Sequence, residues 1–150
     1  MDLYRNFFQI FLARFSSARF QIDPRYTVGM PKAKPLTIDE ISFVHEWYVY
    51  DETSESCLRW KKNRGNRAKA GQRAGCVNPQ FYWQVKAGQR LIPVQRAVWL
   101  LCGGIELPPH LTLDHINRVK QDNRISNLRP ATQAQQMKNR EFPNVKPVIV

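Results

Sequence analysis

Hydrophobic and polar positions alternate with two different periods along this chain. Ile38, Ile41, Val44 and Tyr48 recur at helical spacing. Just ahead of them Thr37-Ile38-Asp39-Glu40 places a threonine at an N-cap and an acid three residues on, a capping box, so a helix is expected to about Glu46. The period then shortens. Tyr48-Val49-Tyr50 and Cys57-Leu58-Arg59-Trp60-Lys61 read as two strands joined by the polar turn 51–56. Ala74-Gly75-Cys76-Val77, Phe81 to Lys86 and Arg90 to Val94 read as three more, with turns at Asn78-Pro79 and Ala87-Gly88-Gln89. Strict alternation would put Tyr82, Gln84 and Lys86 on one face and Phe81, Trp83 and Val85 on the other. Gln95 to Cys102 is a short apolar helix stopped by Gly103-Gly104, with Trp99 expected in the core. Leu111 to Asp114 alternates as a strand, Ile125 to Arg129 as its partner, and Thr132 can cap a helix from Gln133 to Arg140. The expected class is α+β: a small antiparallel sheet region followed by a strand–loop–strand–helix unit.

The chain ends do not follow this pattern. Tyr4, Phe8, Phe11, Leu12 and Phe15 lie near helical spacing, but Gln9 and Arg14 interrupt them and no cleavage site follows, so a signal peptide fits poorly. An amphipathic targeting helix is one alternative; the reading preferred here is an extension upstream of a natural start at Met30. The expected organisation is an extension over 1–36, disordered or not native, a basic sheet region over 37–105, the strand–loop–strand–helix unit over 106–142, and a tail over 143–150.

Charge adds a partner. The 150 residues carry a formal net charge of +11. No acidic residue lies between Glu55 and Glu106. That interval holds Arg59, Lys61, Lys62, Arg64, Arg67, Lys69, Arg73 and Lys86. Such a field attracts phosphates, and double-stranded DNA is the expected partner. The stretch 62–73 lacks apolar periodicity and is expected to be a mobile loop or arm, phosphate-gripping or groove-tracking, with a solvated linker as the alternative. Tyr82, Gln84 and Lys86 would present a ribbon to a DNA groove, joined by Arg129 and Arg140. No apolar run approaches the roughly 20 residues of a membrane span, and a cytoplasmic setting, bacterial or phage-infected, is expected. Cys57, Cys76 and Cys102 are far apart and odd in number, which argues against a zinc site or a disulfide framework.

The chemistry concentrates in Leu113 to Arg140. Asp114 can give a charged oxygen to a hard cation such as magnesium or manganese. His115 can take a proton from water near neutral pH. Asn127, twelve residues after His115, can hold the ring or its supporting backbone. Nine residues further, on the expected helix, Gln136 offers a second oxygen.

These residues carry a resemblance. Asp114-His115-Ile116-Asn117, Asp122-Asn123-Arg124-Ile125-Ser126-Asn127-Leu128-Arg129, Ala131-Thr132-Gln133-Ala134 and Asn139-Arg140 resemble the HNH endonucleases of phages and homing elements. Upstream, Tyr50-Asp51, Leu58 to Lys62, Ala74-Gly75 and Arg96 to Leu101 are similar to the region that precedes that motif. The resemblance implies the ββα-metal, or His-Me finger, fold and cleavage or nicking of DNA with one divalent metal. It also implies Asp114 as metal ligand, His115 as general base and Asn127 as the asparagine that positions it. The upstream sheet resembles, more loosely, the three-stranded DNA-binding domain of plant ethylene-response factors. This chain departs from the family at Gln136, where Asn or His is usual, at Arg118, where Gly is common, and at Gln95, where His is usual. A turn needing a positive φ at Arg118 would cost about 1 kcal/mol. The alternatives left open are a catalytically weak or inactive DNA-binding relative and a basic RNA-binding module.

Overall fold

In the computed structural model, residues 34–141 are described. The expected start at Met30, nearly all of the expected extension and the C-terminal tail lie outside them. The elements run α1 (Ile38–Trp47), β1 (Tyr48–Tyr50), β2 (Leu58–Trp60), β3 (Cys76–Val77), β4 (Trp83–Ala87), β5 (Arg90–Pro93), α2 (Val94–Leu101), β6 (Thr112–His115), β7 (Leu128–Ala131) and α3 (Gln133–Glu141). They form an α+β arrangement of small antiparallel sheets: β1-β2, β3-β4-β5 and β6-β7.

α1 begins with the capping box its sequence spells out. Thr37 Oγ1 accepts from Glu40 N at 3.2 Å, and Glu40 Oε2 accepts from Thr37 N at 2.9 Å. The core lies between α1, α2 and the three-stranded sheet. Val44 of α1, Trp83, Val85 and Ala87 of β4, Ile92 of β5 and Ala97 and Val98 of α2 are buried there, with Tyr48 and Leu58 from the first hairpin. Tyr48 keeps its polar end satisfied by donating to the Lys86 carbonyl at 2.9 Å. Burial pushes its phenol up to about 12. The last residues of the expected extension are anchored rather than loose: Leu36 is buried, its N–H reaches Glu106 Oε1 at 3.1 Å, and Arg90 and Arg96 donate to the Pro35 and Lys34 carbonyls.

Three local expectations need correction. Of the loop and the arm expected over 62–73, the structure has the loop, and not a trailing arm. Trp60 donates to the Gln72 carbonyl, Gly71 to the Trp60 carbonyl, and Arg64 to the Ala68 carbonyl, so backbone hydrogen bonds fold it back along β2. Backbone pairing of this kind needs no apolar period, which is why the pattern missed it.

Phe81 does not join β4. Asn78 and Tyr82 are linked by a backbone hydrogen bond of 2.9 Å, and Phe81 N–H donates to the Asn78 carbonyl at 2.9 Å. Asn78 Oδ1 also accepts from Gln80 and Tyr82. This tight turn sets Phe81 at φ 66°, a left-handed position that glycine takes freely and an L side chain pays about 1–2 kcal/mol to occupy. Phe81 is therefore 66% exposed instead of sharing the buried face of Trp83 and Val85.

Ile125–Asn127 is a 3-10 turn, and strand pairing begins only at Leu128. His115 pairs with Leu128, Asp114 with Arg129 and Thr112 with Ala131. The turn leaves the Asn127 side chain pointing back into the loop between the strands.

Candidate active site

β6 delivers Asp114 and His115 to the rim of a cleft of about 570 Å³, which Tyr82, Gln136 and Asn139 also line. His115 is only 6% exposed. Its Nε2 lies 3.1 Å from Asn123 Oδ1. An amide oxygen only accepts, so Nε2 carries the proton of the neutral ring and Nδ1 holds the lone pair. Asn123 is fully buried and its Nδ2 has no hydrogen-bond partner. The ring centroid of Tyr82 is 6.3 Å from that of His115.

Asn127 does not touch the ring. Its Oδ1 accepts from Asn117 N at 3.0 Å, and its Nδ2 donates to Asn117 Oδ1 at 3.0 Å and to the Asp122 carbonyl at 2.8 Å. Its own carbonyl accepts from Ile116 N at 2.9 Å. Of the two readings left open for Asn127, the geometry is that of backbone support: it ties both ends of the loop that follows His115. Asp122 reinforces this loop by accepting from Asn117 and from Arg124. The Arg124 guanidinium, with Asn117 adding to it, holds the Asp122 carboxyl down at about 2. Arg118, within the loop, sits at φ 66°.

Asp114 Oδ2 accepts from Asn139 Nδ2 at 3.0 Å and from Arg129 Nη2 at 3.0 Å. Asn139 also donates to the His115 carbonyl at 3.1 Å. Gln136, one turn earlier on α3, donates its Nε2 to Thr112 Oγ1 at the start of β6. The register explains this division. α3 runs alongside β6, so its residues three apart meet β6 residues two apart. Thr132 caps α3, with Gln135 N donating to Thr132 Oγ1 at 3.3 Å and Thr132 N to Gln135 Oε1 at 2.8 Å. Sequence reasoning placed Gln136 beside the acid; the contacts with Asp114 and the His115 backbone are made by Asn139. Asn123 went unassigned, and Asn139 was set aside as lying one turn too far along the helix. The signal available for both was amides in a polar segment with no apolar role.

No group of three or more His, Cys, Asp or Glu side chains able to hold a metal occurs among the described residues. The oxygens on this side of the cleft are of another kind: the carboxylate of Asp114, and the amide oxygens of Asn139 and Gln136, which would have to turn, since Asn139 presents its Nδ2 to Asp114 and Gln136 its Nε2 to Thr112. Oxygen donors of that type suit a hard divalent cation that keeps several waters. Arg129 would have to yield Asp114, and with its side chain 41% exposed it has solvent to move into.

The basic residues expected to grip DNA divide in two. Arg59 pairs with Asp51, Lys62 with Glu46 and Arg73 with Glu55, while Arg129 pairs with Asp114. Lys62 also lies over Trp47, Arg64 over Phe43 and Trp47, and Arg73 over Trp83. Lys61 donates to the His45 carbonyl. Arg67, Lys69 and Lys86 are exposed, as are Lys61, Lys62, Arg64 and Arg73 despite their contacts. Gln84 and Lys86 do share the outer face of the three-stranded sheet, opposite the buried Trp83, Val85 and Ala87. The Arg140 side chain lies outside the described residues. Gln95 is buried in α2 with its Oε1 lacking a hydrogen-bond partner. No helix among the described residues is long and apolar enough to cross a membrane.

No curated protein and no solved structure is significantly similar to the chain. The family model described as HNH endonuclease matches residues 93–138. That span begins at the end of β5, takes in α2 and the whole β6–loop–β7 hairpin, and reaches into α3 past Gln136. It supports a nuclease or nucleic-acid-binding role. The part of the chain that holds Asp114, His115 and Asn127 is thus similar to the HNH endonuclease family.

Proposed function

We propose that this protein is a metal-dependent endonuclease or nickase that hydrolyses phosphodiester bonds in duplex DNA. One observation carries the reading: a buried histidine, held through Nε2 by Asn123, lines the same cleft as Asp114, a carboxylate that accepts from Asn139. His115 Nδ1 takes the proton from the attacking water, and Asn123 holds the ring through Nε2 so that the lone pair keeps its direction. Asn127 and Asp122 fix the loop that carries the backbone on the C-terminal side of His115. Asp114 would hold the divalent cation, with Asn139 and Gln136 as amide ligands. Such an ion, magnesium first and manganese second, would supply charge neutralisation at the phosphate and at the leaving oxygen. The outer face of β4 and the exposed cations of 61–73 would hold the phosphate backbone.

A plasmid nicking assay with magnesium or manganese tests this. Wild type should nick, and His115→Ala should lose about 10²–10⁴ in rate. A second reading, a DNA-binding relative with little catalysis, is favoured by Gln136 turned toward Thr112 and by Arg129 on Asp114. It wins if wild type and His115→Ala are equally silent while DNA binding persists. Gln136→Asn should raise the rate or the metal affinity if position 136 is a strained ligand. Should Asn139→Ala cost more than Gln136→Ala, the second ligand is Asn139.

A further inference from the structure

Phe81 is misplaced by every criterion of folding. It holds a left-handed backbone position at φ 66° and leaves its ring 66% exposed, so it serves neither the turn nor the core. Its surroundings are the site itself. The next residue, Tyr82, stands 6.3 Å from the His115 ring and carries the Lys120 ammonium 4.9 Å above its own ring. Lys120 also donates to the Gln80 carbonyl at 3.2 Å. The turn 78–82 is therefore joined on both sides of Phe81 to the loop that follows His115. It lies within an interval, 56–105, that contains no acidic residue.

An exposed, rigidly mounted aromatic ring in a basic field matches the side chains that enter between stacked base pairs. We propose that Phe81 is a wedge that inserts into a base step of duplex DNA beside the phosphate presented to Asp114 and His115. Partial unstacking there would bend the backbone into the cleft. The position of the wedge relative to the reacting phosphate rests on the nuclease reading above; insertion itself does not.

The test exploits the strained backbone. Phe81→Gly and Phe81→Asn both suit a positive φ, so neither should threaten the fold, and Phe81→Met keeps an apolar wedge. Covalently closed plasmid is relaxed in EDTA by a topoisomerase that needs no metal, with each protein bound at equal occupancy. Wild type and Phe81→Met should shift the topoisomer ladder, and the Gly and Asn variants should not. In magnesium or manganese, Phe81→Gly should nick relaxed plasmid about tenfold more slowly than wild type. On negatively supercoiled plasmid, which already favours unstacking, its deficit should shrink to about threefold or less. A Phe81→Gly protein that shifts the ladder as wild type does, and nicks both forms at the wild-type rate, overturns the wedge while leaving the nuclease standing. A wild-type protein that shifts the ladder through Phe81 yet never nicks supports the wedge and removes the nuclease. Wild type that fails to bind plasmid, or binds without any shift, overturns the wedge.

Discussion

In the region from α1 to α2, the largest fully buried side chains are Tyr48, Leu58, Ile92, Val44, Val94 and Val98. In the β6–loop–β7 unit Asn123 and Ala131 are fully buried, and His115 and Asn127 are buried with them; Leu113, Leu128 and Ala131 supply the buried apolar side chains, and Leu128 joins the core of the first region. The first region is stabilised by removing carbon from water, which is tolerant of detail and worth about 25 cal/mol per Å² of apolar surface. The second relies on amides whose polar atoms need partners; an unmade partner costs about 1–3 kcal/mol, and Asn123 Nδ2 is left without one. The contrast separates two tasks: one region holds the fold together, and the other fixes the directions of a histidine and a carboxylate.

The largest effect that could break this division is a cavity in the first region. Leu58→Ala removes a fully buried side chain and should cost about 2–5 kcal/mol. All four tryptophans, Trp47, Trp60, Trp83 and Trp99, lie in that region. Thermal unfolding followed by tryptophan fluorescence should therefore show a lowered midpoint. The opposite change is Asn127→Ala. It strips the three side-chain hydrogen bonds to Asn117 and Asp122 and should cost about 2–4 kcal/mol locally. Hydrogen exchange should speed up across 115–128 while the tryptophan signal holds its native value. Equal loosening of both regions by either variant would show that the contact through Leu128 makes them one cooperative unit.

Acid offers a smaller and graded test. Asp122 is held at about 2 by Arg124 and Asn117. Asp51, in the first region, is also held at about 2, by Thr53 first and then Arg59. Both carboxyls lie below the ordinary 3.8, so the stability they add is fully present above that value and is lost as pH falls through about 2. The stability they add drains away between about pH 4 and pH 2, and the side-chain resonances of both should titrate with midpoints near pH 2. The loop amides 117–124 should follow Asp122, and Asp122→Asn should abolish that response without touching the one at Asp51. Midpoints near 4 would mean that neither carboxylate is held as the geometry has it.

Much of the first region was legible because its signals are local. The capping box at Thr37 and Glu40, the alternation of Trp83, Val85 and Ala87, and the glycines after α2 each act on their own neighbours. Phe81 misled because alternation says nothing of a turn that imposes a positive φ on the residue before the strand. The loop 62–73 misled because its order comes from backbone pairing with β2. In the second region Asp114, His115 and Asn127 stood out by type and spacing. Which amide meets which group did not, because Asn123 and Asn139 reach their partners across the hairpin and from the helix. Likewise the cations of 59–73 were visible as a field, while their pairing with Asp51, Glu46 and Glu55 depends on elements distant in sequence.

The smallest effect bears on the loop's own backbone. Arg118 occupies φ 66°, so Arg118→Gly should relieve about 1 kcal/mol of strain. The same change removes the contact of Arg118 Nε with Asn139 Oδ1, which at 3.4 Å is long. If the loop is fixed by Asn127 and Asp122 rather than by Arg118, the relief outweighs the loss, and the variant should unfold at a slightly higher temperature. Among the described residues, Asn139 would then be tethered through Asp114 and the His115 carbonyl. If the cation proposed for Asp114 binds, its affinity, read by calorimetry with manganese, should stay within about twofold of wild type, a change worth less than RT. A clear drop in affinity would mean that Arg118 sets the orientation of Asn139, and that the second region fixes its geometry through a charged side chain as well as through buried amides.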